Sequence, residues 1–148
     1  MRIQEIIDIV RGFEGSLVVS PDEGSAFPEL AWGDSFFFYA PDGIMPERTQ
    51  PYGTIITKDY PDDERSRLGP AGRFRVNIHV GHGRSAELPM ADADPAVTDS
   101  LFPHPLYGDA GWLSVVNPAE ATTDAVIGLL QQAHDDARAR WIRRSGRR

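Results

Sequence analysis

The chain has 148 residues, of which 41% are hydrophobic, and this is enough for one globular domain but leaves no room for a second. It contains no cysteine, which excludes disulfides, zinc ribbons, thiolate nucleophiles and iron–sulfur clusters. The formal net charge of −7 disfavours broad contact with the phosphate backbone of a nucleic acid.

The first predicted element is an amphipathic helix over residues 3–13. Its apolar side chains recur at helical spacing, and its polar side chains lie on the opposite side. Glu5 and Asp8 fall among the apolar residues, which a signal peptide does not tolerate, and no apolar run reaches the roughly 18 residues needed to span a bilayer. We therefore expect a cytoplasmic protein with no membrane segment.

Runs of β-branched and aromatic residues between turn signals predict the strands. They lie at residues 17–19, 29–40, 54–58, 73–80 and 111–117. Segment 29–40 is interpreted either as two strands joined at Gly33-Asp34 or as one bulged strand. Residues 81–110 contain four prolines and little periodicity, so we expect a long loop there with one or two turns of helix.

Strand 73–80 has the clearest alternation in the chain. Because successive side chains of a strand leave opposite faces of the sheet, its apolar residues point one way and its polar residues the other. The apolar set is Phe74, Val76, Ile78 and Val80, and the polar set is Arg73, Arg75, Asn77 and His79. We expect the apolar face to belong to the core and the polar face to be exposed to solvent.

The last predicted element is a helix over residues 122–141 with an apolar stripe along one side. Residues 138–148 contain six arginines and no acid. The net charge is −7 for the whole chain and +6 for this end, so the remainder carries −13. We expect residues 142–148 to form a frayed basic tail.

The order of these elements predicts an α+β fold in a single domain spanning residues 1–148. A series of strands with mostly short connections, between one helix at each end, is typical of an antiparallel sheet. We expect a mainly antiparallel sheet of about five or six strands, with the N-terminal and C-terminal helices packed on one face.

Four blocks of the sequence carry a resemblance to a known family. They are AWGDSFFFYAPDG, QPYGTIITKDYPDDERSRL, GRFRVNIHV and HPLYGDAGWLSVVNP, and they occur in the expected order. The chain resembles the uncharacterised bacterial family DUF6194, which implies no reaction and no catalytic residue. Its last third, a strand containing Trp112 followed by a terminal helix, also resembles MmcQ/YjbR-type domains. That resemblance implies a sheet with helices. DNA binding is suggested for that fold, but the net negative charge of the chain before residue 138 counts against it here.

Familiar catalytic and metal-binding motifs do not indicate a function for this chain. His79 and His82 have the spacing of an H-x-x-H metal site, but residues three apart on a strand face opposite sides. The glycines form neither a phosphate-binding loop nor a dinucleotide fingerprint, and no serine stands in a G-x-S-x-G pattern. We therefore predict no catalytic residues, no metal site and no cofactor.

Lys58 is the first candidate for ligand binding, because it is the one lysine among fifteen basic residues. On the polar face of the sheet, Lys58 together with Arg75, Asn77 and His79 forms a patch suited to a carboxylate or phosphate. The alternative is a surface ion pair between Lys58 and a carboxylate of the loop that follows it, at Asp59, Asp62 or Asp63.

His104 is the second candidate, because Pro103 and Pro105 fix its backbone on both sides. Such a segment either holds a functional side chain in a fixed position or is simply a rigid turn. With Tyr107 close by in the sequence, the candidate ligand-binding set is Lys58, Arg75, Asn77, His79, His104 and Tyr107.

Three functions are compatible with these features. The leading hypothesis is a noncatalytic module that binds a small anionic ligand or a protein partner on the polar strand face. The first alternative is an enzyme that uses Lys58 with His79 or His104 as an acid–base pair. The second is a nucleic-acid binder that uses the arginine-rich terminal helix. The negative charge of the rest of the chain counts against this alternative. The oligomeric state is not predicted.

Overall fold

A computed structural model describes residues 1–92 and 94–146 of the chain. Within these residues a six-stranded antiparallel sheet is combined with helices, so the predicted α+β class is confirmed. The helices are α1 (Ile3–Arg11), α2 (His82–Glu87) and α3 (Thr123–Ser145), and the strands are β1 (Ser16–Val19), β2 (Ser35–Tyr39), β3 (Gly53–Ile56), β4 (Arg75–His79), β5 (Phe102–Pro103) and β6 (Trp112–Val116). None of the described helices is both long and apolar enough to cross a bilayer.

The sheet has the strand order β1-β2-β3-β4-β6-β5, with every neighbouring pair antiparallel. β4 lies between β3 and β6, which are the two strands that frame the centre of the sheet. Its register places Asn77 opposite Thr54 of β3 and opposite Ser114 of β6. Three polar side chains therefore form a row across the sheet on one face.

The hydrophobic core lies between the sheet and the helices α1 and α3, which cover one face as predicted. Val76 and Ile78 of β4 are fully buried in this core, and Phe74 packs with them. The predicted alternation of strand 73–80 is thus confirmed on its apolar side. Burying a side chain of this size contributes about 1.5–3 kcal/mol, so the helix side of the sheet supplies much of the stability.

The prediction that the polar face of β4 is exposed to solvent is wrong for its central residues. Arg75 is only 2% exposed and Asn77 only 4%. The loop between β3 and β4 and the segment between β5 and β6 pack over this face. These connections have no periodicity, so the sequence pattern does not reveal that they cover the strand.

Segment 29–40 adopts neither of the two predicted arrangements. A short 3₁₀ turn, Glu29–Ala31, precedes the single strand β2. Lys58 holds this stretch, because its ammonium donates hydrogen bonds to the backbone carbonyls of Leu30 and Trp32. These carbonyls are satisfied by a side chain, so this stretch does not need a neighbouring strand.

Two further elements differ from the prediction in extent. The segment expected as a loop at 81–110 contains β5 as well as the short helix α2. The last helix continues to Ser145, so it includes residues 142–145 of the predicted tail. Arg147 and Arg148 lie outside the described residues.

Candidate functional site

A pocket of about 390 Å³ opens on the face of the sheet opposite α1 and α3. Its floor is formed by side chains of three adjacent strands, which point away from the helices because they alternate with the core residues. These side chains are Thr54 and Ile56 of β3, Arg75 and Asn77 of β4, and Trp112 of β6.

The walls of the pocket come from connections between the strands. The loop that follows β3 supplies Tyr60, Asp62 and Asp63, and the segment between β5 and β6 supplies His104, Leu106, Tyr107 and Ala110. Gln50 and Pro51 close the side near the start of β3. The pocket therefore combines charged and polar groups at its base with apolar and aromatic side chains at its sides.

Arg75 forms the charged base of the pocket together with Asp63. The two terminal nitrogens of its guanidinium each donate to one oxygen of the Asp63 carboxylate, and Nη1 also donates to Ser66 Oγ at 3.0 Å. Burial by itself raises the pKa of the Asp63 carboxyl, but the hydrogen bonds and charge of Arg75 hold that pKa below its ordinary value. Asp63 is therefore ionised, and the charge of Arg75 is matched.

The Nε–H of Arg75 is left without a partner. The side chain is 3% exposed, and this donor makes no hydrogen bond with any residue that the structure describes. Buried polar groups are almost always hydrogen-bonded, and an unpaired one costs about 1–3 kcal/mol. Because the Nε atom is itself buried, this donor lies beneath the surface of the pocket.

His104 is held in one protonation state by its own loop. Its Nδ1 accepts hydrogen bonds from the backbone N–H groups of Leu106 at 3.0 Å and Tyr107 at 3.1 Å. A nitrogen that accepts two hydrogen bonds carries no proton, so the hydrogen of the neutral ring is on Nε2. Burial lowers the pKa of His104 to about 4, the charge of Arg75 lowers it further, and Asp63 opposes the shift.

The Nε2–H of His104 faces the ion pair of Arg75 and Asp63. This nitrogen lies 3.3 Å from Arg75 Nη2 and 3.8 Å from Asp63 Oδ2. Arg75 cannot donate to a nitrogen that already carries hydrogen, and 3.8 Å is too long for a hydrogen bond to the carboxylate. The N–H of Nη2 that faces His104 therefore has no acceptor there.

The row of polar side chains across the floor satisfies itself. Asn77 Nδ2 donates to Thr54 Oγ1 at 3.0 Å, and Ser114 Oγ donates to Asn77 Oδ1 at 2.9 Å. These bonds join β3, β4 and β6 side chain to side chain, in addition to the backbone ladder. The row therefore fixes the floor of the pocket.

Lys58 does not reach the pocket. Its ammonium lies 3.1 Å from Asp34 Oδ1 and is fixed further by its bonds to the Leu30 and Trp32 carbonyls at 2.9 and 2.7 Å. The ion pair expected as an alternative does form, but with Asp34 instead of Asp59, Asp62 or Asp63. Asp34 is fully buried and also accepts from the hydroxyl of Tyr60 at 2.7 Å, which links this cluster to the pocket wall.

His79 also lies outside the pocket, at the end of β4, where its ring packs against Trp112 with 5.3 Å between ring centroids. Burial lowers the pKa of His79, and the charge of Arg140 lowers it further. In the described part of the chain, no group of three or more histidine, aspartate or glutamate side chains is placed to hold a metal ion.

Of the six candidate residues, the structure brings four together at the pocket: Arg75, Asn77, His104 and Tyr107. Sequence reasoning missed the residues that complete the site, which are Thr54, Tyr60, Asp63 and Trp112. Thr54 had a usable signal, because it alternates with the core residue Ile55. Asp63 had none, because nothing in a charged loop distinguishes a buried carboxylate from its solvated neighbours.

Comparison with known protein families relates almost the whole chain to one of them. The model of a family of unknown function, DUF6194, matches residues 1–146, which confirms the resemblance carried by the four sequence blocks. No curated protein matches the chain, and neither does any solved structure. The resemblance of the last third to MmcQ/YjbR-type domains is not shown by these comparisons.

Proposed function

Because the chain belongs to the DUF6194 family, whose function is unknown, we propose a function from the geometry of the pocket alone. The protein is a noncatalytic module that binds a small organic molecule between the sheet and the loops that cover it. A cytoplasmic location, expected from the sequence, is part of this proposal.

The observation that carries the proposal is a walled pocket that has charged and polar groups at its base and apolar and aromatic side chains at its sides. A volume of about 390 Å³ falls in the range of roughly 300–1,000 Å³ that is usual for small-molecule sites. The aromatic and aliphatic walls offer the apolar contact that such sites use.

The enzyme alternative has less support, because its acid–base residues are committed elsewhere. Lys58 is bound to Asp34 and two carbonyls, and His79 is outside the pocket. His104 lines the pocket, but its Nδ1 is occupied and its low pKa makes it a weak base at neutral pH. Neither Lys58 nor His79 is therefore placed to act with His104 on a molecule in the pocket.

The nucleic-acid alternative depends on the arginines of α3. Two of those arginines already have contacts within the chain, Arg138 with Glu14 at 3.5 Å and Arg144 with Thr49 at 3.0 Å. The strongly acidic remainder of the chain also repels phosphate. A walled pocket with a charged base is the more specific feature.

The proposal is tested by screening neutral and charged fragments against the full-length chain, with amide and indole chemical shifts as the readout. We expect some fragments to perturb Thr54, Asn77 and Trp112 together. Ala110 is exposed at the pocket, so Ala110→Trp places a ring in the opening without removing a buried contact. This variant should abolish the perturbations, whereas Ala86→Trp, at an exposed position of α2, should leave them unchanged. If no fragment perturbs these residues, or if binding persists in Ala110→Trp, the proposal is overturned.

A further inference from the structure

The lining of the pocket indicates the charge of the molecule that it accepts. Resting on the proposed function, we infer that the ligand is a small organic cation, whose charge is attracted by the Asp62 carboxylate and whose apolar body packs against the aromatic walls. This charge is opposite to that of the small anion that the sequence suggested.

The positive charge at the base of the pocket is not available to a ligand. Among the lining residues that the structure describes, Arg75 is the single cation, and its side chain is only 3% exposed. Its terminal nitrogens donate to both oxygens of the Asp63 carboxylate, so the pair is neutral as a unit. An anion in the pocket would therefore lose its hydration without gaining a free counter-charge. His104 adds no charge at neutral pH, because burial lowers its pKa to about 4.

Asp62 carries the unmatched charge of the lining. It lies at an exposed position of the turn at residues 60–63, and none of the ion pairs among the described residues includes it. The turn is anchored on both sides of Asp62. On one side the Tyr60 hydroxyl donates to Asp34 at 2.7 Å, and on the other side Arg75 holds Asp63. The lining thus presents one negative charge on a fixed turn, which attracts a cation and repels an anion.

The aromatic walls act in the same direction as Asp62. Tyr107 and Trp112 both line the pocket, and Tyr107 is 53% exposed, so its ring is open to a bound molecule. Aromatic rings pack well against a planar apolar body. Their faces also carry partial negative charge, which attracts a cation within about 6 Å of the ring centre. A neutral molecule gains the apolar contact alone, whereas an organic cation gains both the contact and the attraction.

Three probes of similar size and shape separate the alternatives: benzylammonium, which is a cation, benzyl alcohol, which is neutral, and benzoate, which is an anion. Each is titrated into the full-length wild-type chain at neutral pH and low salt, and its affinity is obtained from the amide and indole shifts of Thr54, Asn77 and Trp112. We expect benzylammonium to bind about fivefold more tightly than benzyl alcohol, and benzoate to bind most weakly. The preference for the cation should shrink as salt is added, because Asp62 is exposed and its charge is screened.

The role of Asp62 is tested by Asp62→Asn, which removes the charge and keeps the shape of the side chain. We expect the affinity for benzylammonium to fall about fivefold, while the affinity for benzyl alcohol stays unchanged. Glu64→Gln is the matched control, because it removes one negative charge from the same loop at an exposed position that does not line the pocket. It should change the affinity for benzylammonium by less than about twofold.

Each result bears on the charge of the ligand or on the pocket itself. Tighter binding of benzylammonium that is lost in Asp62→Asn supports the inference. Equal or tighter binding of benzyl alcohol or benzoate, or a preference for the cation that survives in Asp62→Asn, overturns the inference and leaves small-molecule binding in place. If none of the three probes perturbs the pocket residues while other fragments do, the inference alone fails. If no fragment of any charge perturbs them, it fails together with the proposed function.

Discussion

The two faces of the sheet are both buried, but their chemistry is opposite. On the helix side, Val76 and Ile78 of β4 pack among apolar residues of α1 and α3. On the pocket side, Arg75 and Asn77 of the same strand are nearly as inaccessible and are hydrogen-bonded to a carboxylate and to hydroxyl groups. Burial therefore does not identify the core, because one strand contributes equally to both environments.

The difference lies in what each face requires of its neighbours. Apolar side chains gain free energy in proportion to the area they bury, whatever apolar group covers them. Polar side chains must find a specific partner for every donor and acceptor, or they lose stability. The helix face should thus respond to lost volume, and the pocket face to lost partners.

The largest effect is expected from lost volume at Phe37, which is fully buried on the helix face. Phe37→Ala should lower the free energy of unfolding by about 4 kcal/mol, because it removes a large apolar contact and leaves a cavity. Urea denaturation measures the change. Phe27→Ala, at an exposed phenylalanine, is the control and should cost less than about 1 kcal/mol. Similar losses at both positions would contradict the assignment of the core.

A lost partner on the pocket face should cost nearly as much. Asp63→Asn leaves the buried guanidinium of Arg75 without its counter-charge, and we expect a loss of about 3 kcal/mol in the free energy of unfolding. Asp94→Asn makes the same change in an exposed pair, with Arg67 at 2.9 Å, and should cost less than about 0.5 kcal/mol. Equal costs for the two substitutions would show that burial of the Arg75 pair has no energetic consequence.

His104 makes the pocket face sensitive to pH. Its folded pKa of about 4 is below the ordinary value of 6.5, so the unfolded chain binds a proton more readily than the folded chain. Stability from this group is complete above about pH 6.5 and is lost as the pH falls toward 4, by on the order of 2 kcal/mol. The pKa of the Asp63 carboxyl is lowered, so the stability that this group contributes is lost only when the pH falls below its ordinary pKa of 3.8.

Urea denaturation between pH 7 and pH 4 checks this expectation. His104→Asn should flatten the dependence over that range, and His82→Asn should leave it unchanged. Because the pKa of His79 is also lowered, the wild type and the His104→Asn variant are compared directly, so that the contribution of His79 cancels. An identical slope in the two proteins would disprove the role of His104.

The smallest of these effects is expected at the polar row. Ser114→Ala removes the donor to Asn77 Oδ1, which then stays buried without a partner, and should cost about 1–2 kcal/mol. Ser145→Ala, at an exposed serine of α3, should change stability by less than about 0.5 kcal/mol. Hydrogen exchange of the β4 and β6 amides gives a local measure. Unchanged exchange in Ser114→Ala would mean that the row does not bind the strands together.

The fold was largely predictable, because strands and helices each have a characteristic spacing of apolar residues. The alternation of residues 73–80 correctly separated Val76 and Ile78 from Arg75 and Asn77. The failures lie where structure depends on contacts between distant residues. Lys58 binds the segment before β2 through hydrogen bonds that span 26 and 28 residues, and no local pattern predicts such a bond.

The pocket was predictable only in part, for the same reason. Arg75 and Asn77 could be placed on one face from their spacing, and His104 stood out between two prolines. Asp63 gives Arg75 its partner, but it lies in a loop whose path over the sheet is decided by tertiary packing. The sequence therefore indicated a polar surface, and only the structure shows that loops cover this surface and form a pocket.

The strand that leads into His104 also determines what one edge of the sheet offers to another strand. β5, at that edge, consists of Phe102–Pro103 alone, and proline has no backbone N–H to offer. A sheet edge this short gives an incoming strand little to pair with, which is a common protection against aggregation. Pro103 therefore leaves the β5 edge with few groups for strand addition, whereas the four-residue strand β1 forms the other edge.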